Sequence, residues 1–251
     1  MNEERFTGKA DIYKKYRPSY PKELIDYLYT EVGFSKDSVI ADIGSGTGIL
    51  SRLLLERGSK IYCVEPNEDM RKTAEQDLSV FENFISVNGN DKNTGLQNQS
   101  IDFVTAAQAF HWFDRQAFKS ECQRILKPGG KVVMIYNSKD GESDIIKKAD
   151  EITIKYCSDA KGHRQRGYDP KEYSDFFADG VCEYKTFENN MQSDRERFIG
   201  GTLSSSYAPR EETDPEKYHG FVKEFNELFD EYNINGILSV PQVTKSYVGM
   251  V

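Results

Sequence analysis

The sequence predicts an α/β protein: a doubly wound, mostly parallel seven-stranded sheet with a helical cap inserted near the C-terminal strands. Three features predict it. From residue 38 to residue 136, short apolar runs alternate with segments whose apolar residues recur at helical spacing, the pattern of βαβ units that pair in parallel through right-handed crossovers. The first of these runs, Val39-Ile40-Ala41-Asp42-Ile43, breaks into Gly44-Ser45-Gly46-Thr47-Gly48 before the next helix, which puts a tight and sterically open turn at a strand's C-terminal end. Two strand-like runs recur late in the chain, over residues 181–187 and 237–248, after a long stretch of different character.

In chain order, residues 1–21 are an N-terminal arm of mixed polar and aromatic residues, with Tyr13, Tyr16, Arg17 and Tyr20 close together and Pro18 and Pro21 stiffening its exit. Such an arm is able to close over a ligand; its tyrosines are equally suited to packing a helix against the sheet. Pro21 opens a helix over residues 22–29 with Leu24, Ile25 and Leu28 on one face. The first buried strand is 38–43. The helix after it, 47–56, turns Ile49, Leu50, Leu53 and Leu54 inward and ends at Gly58. The second strand, 60–65, ends on Glu65, and Asn67 caps a helix through Leu78 that carries Glu68 and Asp69 in its first turn. A third strand, 84–87, runs into the polar turn Asn88-Gly89-Asn90-Asp91, and 100–107 is the fourth. A helix over 114–126 is closed by Lys127-Pro128-Gly129-Gly130 before the fifth strand, 131–136. Helical segments at 145–156, 170–177 and 215–232 then surround the two late strands, which complete the sheet. The chain 1–251 is read as a single domain, with substrate-side cap elements within residues 138–236.

With 251 residues, 37% of them hydrophobic, the chain is long enough to enclose a deep pocket in one core. A net charge of −8 disfavours a sequence-independent grip on nucleic acid. The basic clusters Lys14-Lys15-Arg17 and His163-Arg164-Gln165-Arg166 are short enough to be solvated surface. Cys63, Cys122, Cys157 and Cys182 form no CxxC pair, so neither a metal site nor a redox pair is expected. With no apolar leader and no run long enough to span a bilayer, a cytoplasmic protein without membrane contact is expected, a monomer or homodimer acting on a small molecule.

The glycine turn admits three kinds of ligand: a triphosphate, a dinucleotide or a nucleoside-like cofactor. Without Gly-Lys-Ser/Thr it is not a P-loop. The dinucleotide fingerprint requires its third glycine at position 49, where this chain has Ile49, Gly48 arriving one residue early. An acid about twenty residues beyond the turn, Glu65 at the end of the second strand, is placed to take ribose hydroxyls.

Asp42-Ile43-Gly44-Ser45-Gly46-Thr47-Gly48 together with Val64-Glu65-Pro66-Asn67 resembles the class I S-adenosylmethionine-dependent methyltransferases. Asn90-Asp91 ahead of Ile101-Asp102-Phe103-Val104, the run Ala107-Gln108-Ala109-Phe110-His111-Trp112-Phe113, and Leu126-Lys127-Pro128-Gly129-Gly130 look like later motifs of its small-molecule branch, which includes trans-aconitate-type methyltransferases. Tyr16-Arg17-Pro18-Ser19-Tyr20-Pro21 and Ser206-Tyr207-Ala208-Pro209 resemble that branch too.

The resemblance implies a Rossmann-like methyltransferase fold and a site for S-adenosyl-L-methionine, released as S-adenosyl-L-homocysteine. It implies that Asp42, Gly44, Ser45, Gly46 and Gly48 lie against the methionine end, that Glu65 beside Pro66 holds the ribose, and that Asn90 or Asp91 faces adenine. The family's acidic residue, Ala, Glu pattern is replaced here by Asn90-Asp91-Lys92, which leaves the adenine contact open. Gln108 would lie by the sulfonium, and Arg17 with a nearby tyrosine would meet the cofactor carboxylate. Trp112, Tyr136 and Tyr207 are candidate substrate contacts, each equally suited to packing. His111 is a candidate catalytic base and substrate contact, or a wall of the pocket. The implied reaction is methyl transfer to an oxygen or nitrogen of a small acceptor; the alternatives are a cofactor-binding protein without transferase activity and an NAD-dependent oxidoreductase.

Overall fold

The computed structural model describes residues 18–157, 173–205 and 207–251. Most of the arm, including Arg17, and the first residues of the helix expected from Pro170 lie outside the described residues. The sheet has seven strands, β1 (Val39–Ile43), β2 (Lys60–Val64), β3 (Phe84–Val87), β4 (Ile101–Ala107), β5 (Leu126–Lys139), β6 (Glu183–Glu188) and β9 (Gln242–Gly249), in the order β3-β2-β1-β4-β5-β9-β6. The pairs among β1 to β5 are parallel, and β9 is antiparallel to both β5 and β6. The order reverses at β1, where chain crossovers leave in opposite directions and open a crevice beyond the strands' C-terminal ends.

Alternate residues of the central strands serve two cores. Ile40, Val133 and Ile135 pack with α1 (Lys22–Tyr27), α2 (Ile49–Leu55) and α3 (Glu68–Leu78), whose Leu24, Leu54 and Ala74 are buried there. Ala41, Val132 and Met134 pack on the opposite face with Phe118, Cys122 and Ile125 of α4 (Arg115–Ile125) and with Tyr173, Phe176 and Phe177. Asn67 and Asp114 cap their helices as side-chain acceptors, bonding Met70 N at 3.0 Å and Ala117 N at 3.2 Å.

Three boundaries differ from the sequence expectation. The Lys127-Pro128-Gly129-Gly130 turn lies within β5: Ile101 pairs with Leu126 and Phe103 with Lys131, so the extra residues bulge out between two ladder positions. The expected strand 237–248 is two strands, β8 (Leu238–Val240) and β9, divided at Pro241, which has no N–H to give a ladder. β8 pairs antiparallel with β7 (Met191–Ser193), a strand too short to read from sequence. Of the helix expected over 170–177, the described part ends early: residues 173–174 are helical and 175–177 turn away.

A third apolar cluster stands apart from the sheet's two cores. It joins Ile145, Ile146 and Ala149 of α5 (Asp144–Tyr156), Phe198 of α6 (Arg195–Leu203), Phe221, Phe225, Leu228 and Phe229 of α7 (Pro215–Tyr232), and Leu238 and Val240 of β8. The α7 residues follow i, i+4, i+7, i+8, one helical stripe. Phe225 sits 4.6 Å from the Phe221 ring and 5.9 Å from the Phe198 ring, centroid to centroid. No described helix is long and apolar enough to cross a membrane.

Candidate active site

A pocket of about 720 Å³ occupies the crevice at the C-terminal ends of β1, β2 and β4. Its floor is the turn after β1. Gly44 N and Ser45 N both donate to Val64 O, at 2.9 and 3.3 Å, which lashes the turn to the end of β2. Gly44 adopts φ +69°, and a Cβ there would stand 2.7 Å from Ala109 Cβ and 3.2 Å from the Phe113 ring, so only glycine lets the two loops meet. A Cβ on Gly46, at φ +58°, would meet nothing within 4 Å; it would project into the open cradle.

Glu65 is the polar centre. It is 8% exposed, and its two carboxylate oxygens accept from Gly46 N and Asn67 N, each at 2.9 Å. Burial pushes its pKa above the usual carboxylate value, the two backbone N–H groups and the Arg71 charge pulling partly back. Arg71 holds the backbone on this side, donating from one guanidinium nitrogen to Glu65 O at 2.9 Å and Pro66 O at 3.1 Å. Each carboxylate oxygen has two lone pairs and one acceptance from the chain, so Glu65 retains capacity toward the pocket.

Asp42 also lines the pocket, but its carboxylate is turned to the protein. Ser51 Oγ donates to one oxygen at 2.6 Å and Thr105 Oγ1 to the other at 2.7 Å, tying α2 and β4 to β1. Complete burial raises its pKa against those two bonds.

Gln108, at the end of β4, is a non-glycine residue in the left-handed region, φ +55°. Its N–H donates to Ile135 O at 2.9 Å and its Nε2 to Asn137 O at 3.1 Å, so β5 over-determines its position. Asn90 builds a turn, its Oδ1 accepting from Lys92 N and Asn93 N at 3.0 Å each. Asp91 Oδ2 accepts from Asp114 N at 2.8 Å, joining this turn to the start of α4.

Of the expected residues, Asp42, Gly44, Ser45, Gly46, Glu65, Pro66, Asn90, Asp91, Gln108 and Trp112 line this one pocket. Gly48 does not: at φ +81°, a Cβ there would lie 2.5 Å from Leu78 Cδ1, so it serves the approach of α2 to α3. His111 lies behind the wall, its ring centroid 4.8 Å from Trp112 and 6.2 Å from Tyr136. Tyr136 is wholly buried, 5.0 Å from the Tyr173 ring, because its place on β5 faces the sheet's second core. Tyr207 packs against the third apolar cluster. Among the described residues, none after Asp114 lines the pocket.

Sequence reasoning passed over Met70, Lys92 and Phe113 as lining residues. Each is legible by adjacency: Met70 lies in the helical turn capped by Asn67, Lys92 follows Asp91, and Phe113 is one turn from Ala109. Tyr20, read as an arm residue, also lines the pocket.

Residues 41–134 match the family of the methyltransferase domain, and every lining residue except Tyr20 falls within that stretch. Over this stretch the chain is similar to a methyltransferase domain. An uncharacterized methyltransferase of Mycobacterium tuberculosis is 31% identical over 147 residues, covering 59% of this chain and 58% of the relative. The chain thus matches under two thirds of the length of such curated relatives.

Solved structures extend the likeness of fold beyond the methyltransferase domain. A putative type II methyltransferase from Anaeromyxobacter dehalogenans superposes with a TM-score of 0.64 at 21% identity, over 94% of this chain and 98% of that one. A Haemonchus contortus phosphoethanolamine-type N-methyltransferase, determined with phosphomonomethylethanolamine and S-adenosylhomocysteine, superposes with a TM-score of 0.58 at 16% identity, over 98% of this chain and 58% of that one.

Proposed function

We propose that the chain binds S-adenosylmethionine in this pocket and transfers its methyl group to an oxygen or nitrogen of a small-molecule acceptor. The observation that carries the reading is Glu65: a buried carboxylate, fixed by Gly46 N and Asn67 N, with lone pairs left toward the pocket. Two vicinal hydroxyls are the natural partners of such a group. The open space over Gly46 and a volume of about 720 Å³ suit a nucleoside-like ligand of this size.

S-adenosylmethionine supplies, when bound, a methyl group already activated on a sulfonium. The chain is left to bind, orient and exclude water, which together account for several kcal/mol of a displacement barrier. In this reading Glu65 holds the ribose and the glycine turn receives the methionine end. Gln108, whose amide nitrogen is committed to Asn137 O, presents its carbonyl oxygen to the positive sulfonium. Asn90 and Asp91, held by their turn and by Asp114 N, face the adenine. Trp112 and Phe113 form the wall on the acceptor's side, with His111 supporting Trp112 from behind. An acceptor carboxylate is already ionised and needs no base. The elements of residues 138–236, together with the arm bearing Arg17, are proposed to select the acceptor.

Titration with S-adenosylmethionine and S-adenosylhomocysteine, followed by incubation of methyl-labelled cofactor with a metabolite extract and mass spectrometry, tests the reading. Binding and a labelled small molecule are expected. Binding without label transfer to any fraction would reduce it to a cofactor-binding protein, and absence of binding would overturn it.

A further inference from the structure

Five segments far apart in sequence meet in one polar node at the C-terminal edge of the sheet. Asn137, near the end of β5, accepts at Oδ1 from Thr244 Oγ1 of β9 at 2.6 Å and from Asn189 Nδ2 at 3.1 Å. Asn189 comes from the link between β6 and β7; its Nδ2 also lies 3.1 Å from Thr244 Oγ1 and donates to Ser19 O at 3.0 Å. Asn137 Nδ2 donates to the same Ser19 O at 3.3 Å. Through its backbone, Asn137 O accepts from Gln108 Nε2 at 3.1 Å.

None of Asn137, Asn189 and Thr244 lines the pocket, yet the node grips both of its flanks. Ser19 precedes Tyr20, and Tyr20 and Gln108 both line the pocket. Ser19 itself is exposed, so two side-chain amides converge on a carbonyl that water would otherwise satisfy. A water-exposed carbonyl needs no such clasp for its own sake; what the clasp fixes is where the chain enters the pocket wall. Thr244 is wholly buried, and its hydroxyl orients the Asn137 amide so that Oδ1 faces inward and Nδ2 faces Ser19.

We propose that Asn189 and Asn137 are positioning residues that clasp the Ser19 carbonyl, holding Tyr20 against the pocket in register with Gln108, so that cofactor affinity depends on residues that never touch the cofactor. The proposal rests on the reading of the pocket as an S-adenosylmethionine site. It assigns to residue 189, in the late half of the chain, a part in a site built by the early half. It also makes the donor character of the side chain essential: an aspartate at 189 has the shape of asparagine but gives no hydrogen to Ser19 O.

A double-mutant cycle on the full chain tests it, with S-adenosylhomocysteine as titrant and thermal unfolding recorded alongside. Asn189→Ala and Asn189→Asp should each weaken binding about tenfold, as expected for loss of one or two oriented hydrogen bonds. In a Tyr20→Ala background the same changes should have less than about a twofold effect, because the residue they position is gone. Equal losses in both backgrounds would make Asn189 a merely structural residue and overturn the proposal, as would undiminished affinity in Asn189→Ala. Wild-type protein that binds no S-adenosylhomocysteine removes the reading of the pocket and this proposal together; wild-type binding with an unaffected variant removes this proposal alone.

Discussion

The stretch that builds the pocket and the helical cluster that follows it bury their side chains on different terms. Beside the pocket, each oxygen of the two buried carboxylates is matched: those of Asp42 by Ser51 and Thr105, those of Glu65 by Gly46 N and Asn67 N. In the late cluster the buried contacts are chiefly those of phenylalanines and aliphatics on α5, α6, α7 and β8. Apolar burial is non-directional and tolerant of many arrangements. Buried polar matching is directional and costly when incomplete. The first kind of packing secures a shape, whereas the second fixes individual atoms, and a site that must orient a ligand needs the second.

The largest effect expected is on stability in the late cluster. Phe225 is 1% exposed and meets both Phe221 and Phe198. Phe225→Ala should cost about 3–5 kcal/mol, the transfer loss of a buried ring plus its cavity. Chemical denaturation measures it. Titration of the still-folded fraction should give wild-type affinity for S-adenosylhomocysteine. A fall in affinity larger than about threefold would break the comparison, since the cluster would then govern the pocket's atoms as well as its own shape.

Next comes the polar half. Glu65→Ala deletes the proposed acceptor for the ribose hydroxyls and leaves Gly46 N and Asn67 N without their partner, so cofactor affinity should fall about a hundredfold by calorimetry. Stability should change less than in Phe225→Ala, because water entering the pocket can satisfy both freed N–H groups. Affinity within about threefold of wild type would remove Glu65 from its proposed role.

The same division explains what could be read from sequence. The parallel strands, their order of appearance and the turn after β1 were legible because βαβ units repeat one hydrophobic pattern and because glycines mark the turn. Glu65 was legible by its distance from that turn. Gly48 was misleading: it stands in the same run as Gly44 and Gly46, yet its missing side chain makes room for Leu78, a contact made in three dimensions only. Tyr136 lies on a strand whose C-terminal end runs toward the pocket, but alternation turns its side chain to the opposite core. β7 has three residues, too few to show a period, and Pro241 divides what looked like one strand. The clasp on Ser19 could not be read at all, since asparagines at 137 and 189 carry no spacing signal and meet only once the sheet is assembled.

The smallest effect separates stability from binding by its sign with pH. Burial raises the Glu65 pKa above its ordinary 4.5 in the ligand-free fold. Between that value and the raised one, the folded chain binds more protons than the unfolded chain, so Glu65's contribution makes the fold more stable as pH falls through the window. Hydroxyl donors from a ribose require the ionised carboxylate, so binding should weaken as pH falls through the same window, by up to about tenfold per pH unit below the raised pKa. One residue then drives stability and affinity in opposite directions. Glu65→Gln removes the titration while keeping an acceptor oxygen. Differences between wild type and Glu65→Gln, in thermal unfolding and in S-adenosylhomocysteine affinity as pH falls from neutral toward the ordinary carboxylate range, isolate this residue from other carboxylates such as Asp42. Opposite slopes that vanish in the variant are expected. Parallel slopes would mean that the ligand accepts the protonated form, and the ribose contact assigned to Glu65 would have to be redrawn with the carboxyl group as a donor.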